Sequence, residues 1–118
     1  MLLDSTTQLP LPLEEWRPIL GYEDRYCVSS EGRVYSVKAR CLLKPSLDGV
    51  GYFYVGLYSG PGRYCRVRCH VLVAEAFLGR RPPGQHVNHK DGYKPNNAAH
   101  NLEWVTPRRN AIHAIEKN

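Results

Sequence analysis

The chain has 118 residues, which suffices for one compact domain, or one small domain with an appended module, and excludes a second sizeable core. Ten Gly and eight Tyr favour a fold rich in strands and turns, and no apolar run is long enough to span a bilayer. An acidic start, Met1-Leu2-Leu3-Asp4, lacks the basic-then-apolar pattern of a signal peptide, so a cytoplasmic protein without a membrane partner is expected.

The net charge of +5 is unevenly spread. Residues 1–24 carry five carboxylates against Arg17, a net of −4, whereas residues 25–70 carry eight Lys or Arg against Glu31 and Asp48, a net of +6. The remainder has a net of +3, from seven basic and four acidic residues. A basic middle beside a basic end suits a polyphosphate backbone, and it equally suits the solvated surface of a basic protein.

Residues 1–13 show no period and read as an arm, after which Trp16, Ile19 and Leu20 anchor the chain to a core. Arg25 to Val37 reads as a hairpin turning at Ser29-Ser30-Glu31-Gly32. Tyr52 to Tyr58 alternates, with Phe53, Val55 and Leu57 on one face and Tyr52, Tyr54 and Tyr58 on the other. Ser59-Gly60-Pro61-Gly62 turns this strand back into Arg63 to Cys69, where Arg66 and Arg68 share a face. Such a ribbon supports either aromatic–cation pairs across the strands or a β-ribbon in a DNA groove. Val71 to Leu78 reads as a short helix with Val71, Ala74, Phe77 and Leu78 on its apolar side, ended by Gly79. Arg80-Arg81-Pro82-Pro83-Gly84 is an extended basic connector.

Cys27, Cys41, Cys65 and Cys69 lack both a secretion signal and the tight paired spacing of a zinc knuckle. Reduced core thiols are expected, rather than disulfides or structural zinc.

The chemistry-bearing stretch is His86-Val87-Asn88-His89-Lys90-Asp91-Gly92, followed by Asn101-Leu102-Glu103-Trp104-Val105-Thr106-Pro107, then Asn110 and His113. It reads as a strand, a loop rich in Gly, Pro and Asn, a second strand with Trp104 inward, and a helix capped by Thr106 with Pro107 at its first position. Asn110 and His113, three apart, share a helical face. A β–β–α unit gathering Asn88, His89, Asn110 and His113 can hold one divalent metal beside one general base, the equipment of a phosphodiester-hydrolysing centre.

These residues resemble the HNH endonuclease family, and most closely its phage and intron homing type, with the pattern (Asp/Asn)-His-x-Asp-Gly, Asn-Leu-x-Trp-Val-Thr and a helical Asn. His70-Val71-Leu72-Val73-Ala74-Glu75-Ala76-Phe77 resembles the helix that precedes the family's active site. Glu14-Glu15-Trp16-Arg17-Pro18-Ile19, Gly21-Tyr22-Glu23, Val28-Ser29 and Gly32-Arg33-Val34 resemble a DNA-binding module at the N-terminus of the same nucleases.

The resemblance implies an α+β fold in which N-terminal antiparallel β-hairpins precede a ββα-metal catalytic unit. The expected organisation is an arm over 1–13, a β-rich DNA-binding module over 14–69 and the nuclease unit over 70–118. It implies His89 as general base with Asn101 holding its other nitrogen, and one metal bound by Asn88 and Asn110. His113, one helical turn beyond Asn110, is a candidate extra ligand or phosphate contact. His70 matches a family histidine outside the metal pair and is expected to be structural; His86, Asn96, Asn97 and His100 are expected to be surface or loop residues. Candidate contacts to double-stranded DNA are Arg33, Lys38, Arg40, Lys44, Tyr54, Arg63, Arg66, Arg68, Arg80, Arg81, Lys90, Arg108 and Arg109. Many relatives have Asp or His where this chain has Asn88, and an amide oxygen is a weaker ligand for a hard cation than a carboxylate. Millimolar Mg²⁺ dependence is therefore expected, with Mn²⁺ substituting. Recognition is expected from the hairpins and connector, in a monomer that nicks one strand or a homodimer that breaks both. The competing reading is a DNA-binding protein that keeps the fold but cannot hold a metal.

Overall fold

The computed structural model describes residues 13–108. Their strands form three antiparallel sheets. The first has the order β1 (Trp16–Pro18), β2 (Tyr26–Ser29), β3 (Val34–Ser36) and β4 (Cys41–Leu42). In the second, β6 (Phe53–Gly60) lies between β5 (Ser46–Leu47) and β7 (Arg63–Arg68). Helix α1 (Cys69–Phe77) follows, and β8 (His86–His89) pairs with β9 (Leu102–Val105). The fold is α+β, as expected, with the N-terminal hairpins preceding the β8–β9 hairpin. Helical residues resume at Pro107 and Arg108, directly after Thr106.

One buried cluster joins all of these layers. Val28 and Val34 from the first hairpin meet Val55 and Leu57 from β6, Leu72, Val73 and Ala74 from α1, and Leu102 from β9. The alternation read in Tyr52 to Tyr58 accounts for this, since Val55 and Leu57 are buried while Tyr58 is exposed. Tyr64 crosses onto Gly56, where a Cβ would come within 2.2 Å of its ring, so that glycine makes room for an aromatic on the outer face of the ribbon.

Two expectations need correction. The helix starts at Cys69 and buries Cys69, His70, Leu72, Val73 and Ala74, while Leu78 is exposed. Its neighbours explain this, because α1 packs simultaneously on β2, β6, β8 and β9 and so needs a face wider than a single stripe. The four thiols are free, but only Cys69 is a core residue; Cys41 and Cys65 are exposed and Cys27 is half-buried. Burial pushes the Cys69 thiol up to about 11, which keeps it protonated.

Leu57→Ala should lower stability in urea by about 3 kcal/mol, the cost of a cavity in a filled core. Leu47→Ala, at a side chain 60% exposed, should change it by less than about 0.5 kcal/mol.

Candidate active site

The β8–β9 hairpin carries the site. Its register sets His89 opposite Leu102 and Asn88 opposite Glu103. Successive side chains on a strand leave by opposite faces, so Asn88 and His89 straddle the end of β8. Both are buried, at 7% and 5% exposure.

On one side, His89 is held by a residue from the loop. Its Nε2 lies 2.8 Å from Asn97 Oδ1. A carbonyl oxygen can only accept, so Nε2 carries the proton and Nδ1 carries the lone pair. His89 also belongs to a three-ring cluster with Tyr52 and His70, Tyr52 stacking on both imidazoles while these are tilted to each other: centroids are 4.7 Å apart for Tyr52–His70, 4.9 Å for His70–His89 and 5.9 Å for Tyr52–His89. The Arg68 guanidinium and the Lys94 ammonium sit over the Tyr52 ring, at 4.5 Å and 4.9 Å from its centroid. Burial holds the His89 pKa below the usual 6.5, with the Asn97 bond opposing the shift. His70 is driven down to about 3 by burial and then by the neighbouring charges of His89 and Arg68. Both rings are neutral near pH 7.

Asn97 is itself braced from the first sheet. Gly32, at φ +92°, turns β2 into β3, and a Cβ there would lie 3.0 Å from the Asn97 Cβ. Ala99 N donates to Ser30 O at 2.7 Å, fastening the same loop to the same turn. Ser29 Oγ shapes that turn by accepting from the Glu31 and Arg33 amides.

On the other side, Asn88 Nδ2 donates to Glu103 Oε2 at 2.8 Å. Among the described residues no group of three or more His, Cys, Asp and Glu side chains could hold a metal. What this face of the hairpin offers is an amide oxygen and a carboxylate. Both are hard oxygen donors, which suits Mg²⁺ or Mn²⁺ better than zinc.

Asn101 departs from its expected role. Its Nδ2 donates to Asp91 Oδ1 at 3.0 Å and to Asn96 O at 2.9 Å, and its Oδ1 accepts from Asp91 N at 3.2 Å. It closes the loop on which Asn97 rides, and Asn97 takes the place against His89. The physical reason is reach: Asn101, at the end of the 3-10 turn Ala99–Asn101, is already committed to the Asp91 carboxylate. Asp91 also accepts from Tyr93 N and Asn96 Nδ2, and these donors hold its carboxyl at about 2.

Asn110, His113 and Arg109 lie outside the described residues. Of the expected DNA contacts, Lys38, Arg40, Lys44, Arg63, Arg80, Lys90 and Arg108 are exposed. Arg66 stacks across the ribbon on Tyr54, at 5.1 Å, and Arg81 covers Trp104, at 5.3 Å. Arg33 and Arg68 are corrected in part, because each is paired with a carboxylate: Arg33 forks onto Glu14, and Arg68 Nε donates to Asp48 Oδ2 at 2.8 Å. Trp104 is half-buried rather than fully inward, with Leu102 and Val105 the buried residues of β9. His86 and His100 are exposed, as expected.

Sequence reasoning passed over Asn97, Tyr52 and Glu103. Glu103 could have been found, because pairing His89 with Leu102 forces Asn88 opposite Glu103. Tyr52 and Asn97 had no such signal, since each acts through long-range packing.

With this geometry in view, the comparisons are decisive. A profile of HNH endonucleases matches residues 67–112, and the NUMOD4 motif matches residues 14–58. Residues 67–112 of this chain belong to the HNH endonuclease family. It is 44% identical over 103 residues to DNA endonuclease I-HmuI of Bacillus phage SP01, covering 87% of this chain and 59% of that protein. It is 33% identical over 104 residues to the H-N-H endonuclease F-TflII of Escherichia phage T5, covering 86% and 53% respectively. The solved structure described as DNA binding and cleavage by the HNH homing endonuclease I-HmuI superposes with a TM-score of 0.81 at 41% identity, covering 87% of this chain and 59% of that one. The HNH chain thus spans little more than half the length of these relatives.

The Asp91 carboxyl sits below its ordinary 3.8, so its contribution is complete above 3.8 and is lost as pH falls towards 2. Asp91→Asn should therefore flatten the fall in urea midpoint across that window relative to wild type, leaving only the slope due to other carboxylates such as Asp48.

Proposed function

We propose that this HNH chain is a metal-dependent endonuclease of the homing type that hydrolyses phosphodiester bonds in double-stranded DNA. The observation that carries the reading is a buried, neutral His89 whose Nε2 is held on Asn97 Oδ1 at 2.8 Å, one residue from the oxygen donor Asn88. The family membership and the phage relatives support it. They also suggest DNA in the cytoplasm of a bacterial cell as the substrate.

In this reading His89 Nδ1 takes the proton from the attacking water. A low pKa, set by burial, keeps the ring uncharged and able to act near neutral pH. Asn97 holds the required tautomer, and Tyr52, stacked on the ring, and His70, tilted against it, limit its rotation. Asn88, with Asn110 and His113 outside the described residues, would hold one divalent cation, Mg²⁺ by preference, with Mn²⁺ substituting; such an ion would supply charge stabilisation at the scissile phosphate and the leaving 3′ oxygen.

Residues 14–69 supply DNA contacts and residues 70–118 the chemistry. The outer face of the β6–β7 ribbon presents Tyr54 and Arg66, Arg63 is exposed at its turn end, and the connector adds Arg80. Lys38, Arg40, Lys44, Lys90 and Arg108 extend the basic surface. These contacts are electrostatic, so binding should weaken steeply with salt.

Plasmid cleavage tests the reading. Wild-type protein should convert supercoiled DNA to nicked circles with Mg²⁺ or Mn²⁺ and not with EDTA; His89→Ala should lose cleavage at least about 100-fold while still shifting DNA on a gel. The acid limb of the rate should fall below pH 6.5. Linear product in place of nicked circles would indicate a dimer. DNA binding without cleavage under any metal would identify a non-catalytic DNA-binding protein.

A further inference from the structure

Asn88 is a neutral amide, and a carboxylate, Glu103, stands directly across the ladder from it. Glu103 Oε2 accepts from Asn88 Nδ2 at 2.8 Å, and the two residues are direct Cα partners in the β8–β9 pair. We propose that Glu103 is the positioning residue for Asn88: it fixes the direction of the amide and supplies from β9 the negative charge that position 88 lacks. This rests on Asn88 being a metal ligand.

The orientation follows from donor chemistry. An ionised carboxylate only accepts, so the NH₂ end of Asn88 must face it; the flipped amide would set Oδ1 against Oε2, acceptor against acceptor. With the NH₂ end held, Oδ1 turns away from Glu103. Donation to an anion also polarises the amide and makes its oxygen a better donor to a cation, as partners behind a ligand do in metal sites generally. Asn88 is buried and Glu103 half-buried, so this interaction is screened less than one on an open surface. Among the described residues the ion pairs are Arg17–Glu15, Arg33–Glu14 and Arg68–Asp48, so none of them neutralises Glu103.

The same geometry accounts for an amide at position 88. An aspartate there would stand directly opposite Glu103, and like charges across a strand pair are destabilising without a cation between them. The amide leaves the pair with a single carboxylate, and the substitution Asn88→Asp would set a second one against it.

The test is Mn²⁺ binding to DNA-free protein, read by the loss of the free Mn²⁺ electron paramagnetic resonance signal, with melting in EDTA as a check on folding. Glu103→Gln keeps the acceptor oxygen and the shape and removes the charge, so it should melt within a few degrees of wild type and bind Mn²⁺ about tenfold more weakly. The double variant Asn88→Asp with Glu103→Gln returns one carboxylate to the pair and should recover most of that loss. Asn88→Asp alone should melt lower than wild type in EDTA and gain more from added Mn²⁺.

Wild-type Mn²⁺ affinity in Glu103→Gln overturns the proposal while Asn88→Ala still abolishes binding, which leaves the ligand assignment standing. Wild-type affinity in Asn88→Ala overturns the ligand assignment and the proposal with it. Absence of Mn²⁺ binding by the wild-type protein overturns both for the DNA-free state.

Discussion

Everything distinctive about this site depends on a hydrogen bond between two buried polar side chains, Asn97 and His89. A buried imidazole without a partner would be costly, and one with a movable partner would not hold a single tautomer. The bond can be steady because Asn97 is wedged from behind. The β2–β3 turn approaches so closely that only glycine fits at position 32, and the Ala99 amide is tied to Ser30 of the same turn. The N-terminal sheet is thus part of the support of the β8–β9 hairpin. The shared core says the same, since Val28 and Val34 pack in one cluster with Leu72, Val73 and Leu102.

The two faces of the hairpin end are specialised by opposite means. Around His89, burial and the nearby Lys94 ammonium favour an uncharged ring, opposed by the Asn97 bond and the Asp91 charge. Around Asn88, an amide faces the Glu103 carboxylate. Asn88 and His89, neighbours in sequence, thereby stand in different surroundings on opposite faces of one strand.

Much of this could be read from the residues alone. The alternation of Tyr52 to Tyr58, the Gly32 turn and the Thr106-Pro107 helix start are local signals, and they located the ribbon, the first hairpin and the resumption of helix. The motif around Asn88 and His89 read as two strands joined by a loop, and β8 and β9 form there. What could not be read was which asparagine faces His89. Asn96, Asn97 and Asn101 lie close together in a loop, and composition cannot tell a side chain that closes the loop from one that reaches across it. Asn101 is claimed by Asp91, and Asn97 is pushed inward by a turn far earlier in the chain, at Gly32. The buried face of α1 escapes a periodicity argument for a similar reason, since a helix touched on several sides shows no single stripe. Arg33 and Arg68 read as free cations because sequence does not reveal that Glu14 and Asp48 fold against them.

The most direct measurement is the protonation state of His89 itself, by long-range ¹H–¹⁵N correlation of the imidazole nitrogens at neutral pH, with the signal assigned by its loss in His89→Ala. A site built as described gives a neutral ring with the proton on Nε2 and a bare Nδ1, a state that persists below pH 6.5 and is lost in Asn97→Ala. A proton on Nδ1, or an imidazolium at pH 7, would contradict it, because neither form can take a proton from water in the direction the hairpin provides.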